Sequence, residues 1–395
     1  MNMRRNLADG LESSMTCEEY AWTGGLAPRI AETWDALAAR SSQAPLFRYR
    51  EWSELLCREG KIWPWKIILI YDNGRPIALF PLNRSHPWCV RVVDEFAECE
   101  APWLIADGEE EYALTQLARW FRQQSAMYFL SLGLCADEGV REHLNDIFKA
   151  SGVAPVSRPL LPVVKLPVPD SWEAYLAGLG AGTRGKIKQL ELHLYRDYPG
   201  AKVEWITSTA SESARDEGLQ ALVRLHQQRW EASWSGSVFA REHNVRFFLR
   251  MMQGALIREQ AVLFLLYLEQ TVVAAMTLLH VPGQHTGYCH YLARDAQALP
   301  ARYSTGKIMV CQAIRCAMQR KIRELNLSVT SMDYKIQLGG AAYEQHDLLY
   351  ARYAGMVKLS RPLDFAYQAL THPLPETLRH IRAKLHEGKD LGPHG

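Results

Sequence analysis

The chain has 395 residues, enough for two domains of average size, and its hydrophobic content of 48% is ordinary for a globular protein. Its 45 basic and 43 acidic residues nearly cancel, which argues against a protein that binds nucleic acid or a membrane surface over its whole length. The eight cysteines are scattered without a CxxC pair, which favours reduced thiols in a cytoplasmic protein over a disulfide or zinc framework.

Neither the N-terminal residues nor the longest apolar run indicates a membrane protein. The first ten residues are not followed by an apolar segment of the kind found in signal peptides. The longest apolar run, 261–281, has Glu269 and Gln270 at its centre, and its two flanks are rich in Val, Leu and Thr. This pattern predicts two strands joined by a tight turn, not a membrane span.

The first half shows alternating helical and strand patterns after a loose leader at 1–25. Asn73 and Gly74 separate two apolar runs and predict a hairpin, because both residues accept the positive φ of a primed turn. Periodicity predicts these elements: helices Ala31–Arg40, Phe47–Cys57 and Glu110–Gln124, hairpin strands 66–71 and 76–80, and strand Tyr128–Leu134.

A proline-rich connection divides the chain. Five prolines fall between positions 155 and 169, where they break helices and favour extended chain. We therefore predict an N-terminal unit over 20–155, a C-terminal unit over 165–360, and a terminal helix and tail over 361–395, with the helix near 374–387.

The second half repeats the same kinds of element. Asp170 or Ser171 is expected to cap its first helix, and a basic stretch containing Arg184, Lys186 and Lys188 follows. The remaining predictions are helices Gly218–Trp230 and Asn244–Gln253, a hairpin over 262–280, a strand Thr286–Ala293, a helix that begins at 304–307, and a strand near Leu348–Tyr353.

The order of elements indicates an internal duplication. Shifting the chain by 196 positions places Trp34 on Trp230 and Tyr71 on Tyr267, and the predicted helices and hairpins overlay without a gap. The identities are few, so the shared order and spacing carry the hypothesis.

The two copies differ at one helix start. Arg302, Ser304, Thr305, Gly306 and Lys307 form a polar, basic helix entry, where free backbone N–H groups and the helix dipole favour phosphate. The equivalent positions of the first half, 108–111, carry three glutamates, which would repel an anion. This contrast predicts an anion site in the second half, although an ordinary capped helix explains the same residues.

The second half resembles the GNAT-like domain of the CelD/BcsL group, which is linked to cellulose and exopolysaccharide production, and more distantly the FemAB-type peptidyltransferases. The resemblance rests on these residues: Tyr175, Leu179, Arg184 and Lys188; Leu225, His226, Gln227, Arg229 and Trp230; Tyr291, Ser304 and Gly306; Leu325, Asn326, Leu327, Asp333, Tyr334 and Lys335. It implies an α/β fold of two tandem GNAT-like units, in which mixed, mostly antiparallel sheets are flanked by helices.

The resemblance implies an N-acyltransferase that moves an acyl group, above all acetyl, from acyl-CoA to an amino group of a sugar or small envelope precursor. The usual phosphate loop is changed, because the segment from Arg302 to Gly306 has one extra residue and one glycine. An aminoacyl-tRNA donor, as in FemAB-type enzymes, is therefore an alternative, and only then is nucleic acid an expected partner. A catalytically inactive scaffold for polysaccharide secretion is a third reading.

Acyl transfer needs a positioned amine, a base and donors for the developing negative charges. The candidate catalytic residues are Asp333, Tyr334, His226 and His290. The candidate substrate-binding residues are Arg229, Trp230, Tyr288, Lys335, Arg184 and Lys188. No metal is expected. His226 and Arg229 share a helix face, and Tyr288 and His290 share a strand face by period-two geometry. Each of these candidate residues could instead have a purely structural role, in the core, on the surface or in an ion pair.

Overall fold

The computed structural model describes residues 17–23, 25–41, 50–60, 62–92, 103–230, 237–283, 285–329, 332–360 and 362–363. The predicted leader up to residue 16 and the predicted terminal helix near 374–387 lie outside these residues. Within the described part of the chain, no helix is both long and apolar enough to cross a membrane.

The first half alternates strands and helices. Its elements are β1 (Cys17–Ala21), α1 (Pro28–Ala38), α2 (Arg50–Arg58), β2 (Pro64–Asp72), β3 (Arg75–His86), β4 (Cys89–Val92), β5 (Leu104–Ile105), α3 (Glu110–Gln123), β6 (Phe129–Cys135), α4 (Glu138–Ala150) and β7 (Ala154–Val156). Helix α1 starts earlier than predicted because Pro28 occupies its first turn, where the missing N–H has no helical partner to lose.

From β9 (Ala201–Ile206) onward the second half follows the same order, apart from β5. Its elements are β8 (Val163–Pro167), α5 (Trp172–Gly178), α6 (Ala181–Asp197), β9 (Ala201–Ile206), α7 (Glu212–Trp230), α8 (Glu242–Ile257), β10 (Ala261–Leu268), β11 (Thr271–His280), β12 (Thr286–Arg294), α9 (Thr305–Gln319), β13 (Glu324–Asn326), α10 (Met332–Gln337), β14 (Ala341–Tyr343) and β15 (His346–Ala351). Short 3₁₀ turns cover 238–240, 301–303 and 354–359.

Both predicted hairpins form. Asn73 (φ +47°) and Gly74 (φ +76°) make the turn between β2 and β3, and their positive φ angles are those that a primed turn requires. Glu269, at φ +54°, begins the turn between β10 and β11, so the apolar run 261–281 is two paired strands. Ser171 caps α5, because its side chain accepts a hydrogen bond of 3.1 Å from the N–H of Ala174.

The chain forms two mixed sheets, which confirms the predicted fold class. The first has the strand order β1-β2-β3-β4-β6-β15-β7, with β5 paired to β3, and the second has the order β9-β10-β11-β12-β13-β8-β14. In each sheet one pair is parallel, β4 with β6 and β12 with β13, and the other pairs are antiparallel. The two sheets therefore repeat one topology.

The two sheets exchange a strand. Strand β8 follows the last strand of the first sheet but pairs with β13 and β14 of the second. Strand β15 belongs by sequence to the 165–360 unit, yet it pairs with β6 and β7 of the first sheet. In the duplicated order, β6-α4-β7-β8 corresponds to β13-α10-β14-β15, so each copy ends in a strand that completes the other sheet. Of these two strands only β15 pairs across the predicted unit boundary, because β8 lies at the start of the predicted 165–360 unit.

The halves also share a hydrophobic core. Trp34 and Tyr71 of the first half are buried in the same cluster as Phe248 and Leu256 of the second. Beside that cluster Glu59, only 7% exposed, accepts hydrogen bonds from arginines of α8. This packing holds the second sheet against the first, with α1 and α2 of the first half and α7 and α8 of the second half between them.

Candidate functional site

The cavity that collects most of the predicted site residues lies where β12 and β13 part. The two strands are paired in parallel only from Thr286 to Tyr288 on β12 and from Glu324 to Asn326 on β13. Beyond that point they diverge, and a cavity of about 480 Å³ opens between them. Among its lining residues are His226, Arg229, Trp230, Cys289, His290, Arg294, Ser304, Thr305, Gly306, Lys307, Ser328, Tyr334 and Lys335.

The start of α9 forms one wall of this cavity. Ser304 occupies the cap position in a left-handed conformation (φ +45°), and its side chain makes no capping hydrogen bond. Its carbonyl accepts from the N–H groups of Lys307 (2.7 Å) and Ile308 (3.3 Å). Thr305 is buried, and its hydroxyl has no hydrogen-bond partner in the described structure. A buried hydroxyl without a partner at an open helix start is suited to an anionic ligand.

The corresponding helix start of the first half is occupied by the protein's own charge. Glu110 and Glu111 lie in the first turn of α3, and Glu109, at its cap position, forms an ion pair of 2.8 Å with Arg75. In α9 the first turn contains Lys307 instead, whose Nζ donates to Gln337 Oε1 at 2.8 Å. The contrast between the two copies that the sequence predicts is thus present in the structure.

A β-bulge in β12 decides which of its side chains reach the cavity. Cys289 pairs with Leu278 and Leu292 with Met276, so two residues, His290 and Tyr291, stand opposite the single residue between those partners. The period-two alternation assumed in the sequence analysis therefore fails here. His290 lines the cavity, whereas Tyr288 packs against the core shared by the two halves.

The C-terminal end of α7 supplies the opposite wall. His226 Nδ1 lies 2.8 Å from the Ser237 hydroxyl, and its ring contacts Trp230 and Tyr291. Burial, together with repulsion from Arg229, lowers the pKa of His226 from 6.5 to about 4. The imidazole is therefore neutral near pH 7 and can accept a proton.

Arg229 lies one turn further along α7, on the same cavity. Its Nη1 donates to the Leu292 carbonyl at 3.1 Å, and its guanidinium lies 5.5 Å from the centre of the Trp230 ring. The expectation that His226 and Arg229 face one cleft agrees with this position.

The floor of the cavity holds a buried lysine. Lys335 is only 3% exposed, and its Nζ donates to the Ser328 carbonyl at 3.0 Å. Ser328 adopts φ +66°, and its own N–H donates to Asn326 Oδ1 at 2.9 Å. This turn after β13 points a backbone carbonyl at Lys335, which keeps the charged amine hydrogen-bonded inside the protein.

Near Lys335, the phenol of Tyr334 and the thiol of Cys289 both have raised pKa values. Burial raises the pKa of Tyr334 to about 12, and it raises the pKa of Cys289 to about 12 although the charge of Lys335 opposes the shift. Both groups are therefore protonated at neutral pH. Tyr334 can donate a hydrogen bond into the cavity, whereas the Cys289 thiol is not activated.

Several predicted residues lie elsewhere. Asp333 is exposed on α10 and does not line the cavity, because the helix turns it to solvent while the next two residues face inward. Arg302 donates to the Tyr303 hydroxyl and borders a neighbouring hollow with Lys186. Arg184 and Lys188 are on α6 and also lie outside the cavity.

Other lining residues escaped the sequence analysis. Arg294 ends β12 and lines the cavity, as do Cys289 and Ser328. Arg294 follows the bulge, so simple alternation gave no signal for its direction. Among the described residues no group of three or more His, Cys, Asp or Glu is arranged to hold a metal ion.

Comparison with known proteins agrees with this geometry. Residues 183–336 match the family model described as an Acetyltransferase (GNAT) domain. The second half contains a GNAT acetyltransferase domain. The protein is accordingly an acyltransferase, and the cavity between β12 and β13 lies inside the matched segment. No curated protein matches the sequence significantly.

Solved structures extend the likeness over both halves. FemX is 13% identical, with a TM-score of 0.56, and the alignment covers 84% of this chain and 97% of FemX. L-PGS from Bacillus licheniformis is 10% identical, with a TM-score of 0.51 and coverage of 84% and 94%. The C-terminal domain of a putative lysylphosphatidylglycerol synthetase from Agrobacterium fabrum is 11% identical, with a TM-score of 0.51 and coverage of 86% and 96%. At these identities the likeness concerns the fold.

Proposed function

We propose that the protein is an N-acyltransferase that moves an acyl group, above all acetyl, from acyl-CoA to an amino group of a sugar or small envelope or exopolysaccharide precursor. The observation that carries the proposal is the composition of one cavity. It combines an open, basic helix start with a neutral imidazole and a protonated phenol, in the gap between β12 and β13. Membership of the CelD/BcsL group is part of the same proposal.

The start of α9 would hold the phosphates of the donor. The N–H groups of Thr305 and Gly306, the Thr305 hydroxyl and Lys307 all lie on this wall. Gly306 has no side chain beside these N–H groups, and a Cβ there would meet Leu292 Cδ2 at 3.5 Å, an ordinary van der Waals distance. Helix-dipole attraction and direct N–H donation both favour phosphate here.

His226 would receive the proton of the acceptor amine. The amine nitrogen attacks the thioester carbonyl, the N–C bond forms and the C–S bond breaks, and the amine proton passes to the imidazole. Because the pKa of His226 is about 4, the imidazole is fully available as a base at neutral pH although it is a weak one. His290, on the same cavity, is the second candidate.

Tyr334 would stabilise the leaving thiolate by donating a hydrogen bond. Its pKa of about 12 lies well above that of an ordinary thiol, about 8.5, so complete transfer of its proton to the thiolate is unfavourable. Tyr334 would therefore act by donating a hydrogen bond and not by giving up its proton. The solvent or the imidazolium supplies the proton that completes the free thiol.

Donor binding tests the proposal directly. Acetyl-CoA should raise the melting temperature of the wild type, and Lys307→Glu, which copies the acidic helix start of the first half, should weaken acetyl-CoA binding roughly tenfold or more. Lys149→Glu makes the same charge change on an exposed residue of α4 and should bind acetyl-CoA as the wild type does. Absence of binding by any CoA thioester would refute the donor assignment.

An aminoacyl-tRNA donor is the second candidate, because FemX is among the similar structures and α6 presents basic residues. Lys186 and Arg302 border the hollow beside the α9 start, so a longer polyanion has basic surface to follow. This candidate predicts binding of tRNA that weakens steeply with salt. Salt-insensitive binding, or none, would exclude it.

A further inference from the structure

The cavity carries a strong charge imbalance. Four cationic side chains line it, from Arg229, Arg294, Lys307 and Lys335, and none of the described lining residues is an aspartate or glutamate. A free amine is mostly protonated at neutral pH, so such a cavity repels a simple cationic amine. The charge of the site therefore bears on the kind of acceptor it accommodates.

Two of these cations, Arg229 and Arg294, line the same cavity and have no ion-pair partner among the described residues. Arg229 donates a hydrogen bond to the neutral carbonyl of Leu292. Both side chains line one cavity, and partial desolvation together with the nearby charge of Arg294 lowers the pKa of Arg229. Like charges held together in a concave site are stabilised when an anion binds between them.

The positions of these cations assign Lys307 to the acyl donor and Arg229 to the acceptor. Lys307 belongs to the α9 start, where the donor phosphates would lie. Arg229 comes from α7 across the cavity, one turn from His226, and the charge of Arg229 acts on the Tyr334 phenol. It therefore stands on the side of the reacting amine.

We propose that the acceptor is an amine that also carries a carboxylate or phosphate group, and that Arg229 and Arg294 bind this acidic group. The inference rests on the proposed acyl transfer and names its substrate class. Binding of the acid end by two guanidinium groups would orient the amine towards His226, and the anionic charge would offset the cations around it. Polyamines and neutral amino sugars are then poor acceptors.

The test compares acceptors that differ in the acidic group. With acetyl-CoA as donor, wild-type kcat/KM is measured for glucosamine 6-phosphate against glucosamine, and for alanine against alaninamide, so phosphate and carboxylate are examined separately. At least one acidic member should exceed its neutral partner by roughly 10- to 100-fold, the worth of one or two charge-assisted hydrogen bonds. Neutral amines that react equally well or better would overturn the proposal.

Variants identify the residues. Arg229→Gln should remove most of the preference for the acidic member and leave the KM for acetyl-CoA within about twofold, while Arg229→Lys should restore part of the preference. Arg224→Gln, an exposed arginine on the same helix outside the cavity, is the matched control. A rise in the KM for acetyl-CoA on Arg229→Gln, with the acceptor preference intact, would assign Arg229 to the donor and overturn the proposal.

Binding distinguishes failure of this inference from failure of the proposed function. With free CoA present, the acidic member of a pair should raise the melting temperature of the wild type more than of Arg229→Gln, and the neutral member should not. Equal shifts in both proteins overturn the inference even without turnover. Absence of any shift by CoA or acetyl-CoA overturns the proposed function instead.

Discussion

The buried histidines make the stability of the fold depend on pH in a calculable way. The pKa of His226 is lowered from 6.5 to about 4, and so is that of His280, which is buried and lies 2.9 Å from Arg320 Nη1. Because each ring is protonated more readily in the unfolded chain, acid favours unfolding. The stabilisation from each neutral ring is complete above pH 6.5 and is lost progressively as the pH falls towards 4.

The size of the effect follows from the same values. Between about pH 7 and about pH 5 the unfolded chain gains most of a proton at each site while the folded chain gains almost none, which lowers the free energy of unfolding by about 2 kcal/mol per histidine. Urea unfolding at these two pH values should show the loss in the wild type. His226→Gln should reduce it by about 2 kcal/mol, whatever its effect at pH 7.

His280→Gln is the matched comparison, because His280 does not line the cavity. It should reduce the pH dependence by a similar amount while acyl transfer continues, whereas His226→Gln should reduce both. If the free energy of unfolding of His226→Gln depended on pH as strongly as that of the wild type, His226 would titrate near 6.5. This result would refute the conclusion that burial lowers the pKa of His226 and keeps its imidazole neutral.

Three further changes test other parts of the structure. Tyr334→Phe should lower kcat roughly tenfold to a hundredfold with the KM for acetyl-CoA within about twofold, since the hydrogen bond forms as the thiolate leaves; an unchanged kcat would contradict this role. Gly340→Ala would place a Cβ 2.5 Å from Val164 Cγ1 and 2.9 Å from the Lys335 carbonyl, so urea unfolding should show a loss of about 1–3 kcal/mol. Asp347→Ala should cost roughly 3 kcal/mol, because the buried carboxylate accepts from the Ser131 hydroxyl at 2.7 Å and pairs with arginines; a loss below about 1 kcal/mol would contradict it.

Local signals in the sequence predicted the elements and the duplication well. The Asn73–Gly74 turn, the cap at Ser171 and the apolar periodicity of the helices depend on neighbouring residues, and all appear in the structure. The 196-residue shift places α3 on α9 and β6 on β13, so the contrast between the two helix starts could also be found without coordinates.

The differences between the predicted and observed positions have three separate physical causes. The bulge in β12 reverses the direction of the side chains that follow it, and nothing in the strand pattern marks it, so Arg294 was missed and Tyr288 was misplaced. Helix α10 has six residues, too few for periodicity to show that Asp333 turns to solvent while Tyr334 faces inward. The partners of β8 and β15 are distant in sequence, and short apolar runs do not specify them.

The exchanged strands explain why a half without an open anion site would persist through evolution. Once two copies of a unit have exchanged β8 and β15, the first sheet contains β15 from the second copy and the second sheet contains β8 from the first copy. Deleting the first copy would then remove the partner sheet of β15, and severing the chain between Val156 and Val163 would detach β8 from the strands that precede it. Two copies of the whole chain could make the same trade between molecules, so the exchange also offers a route to domain-swapped dimers.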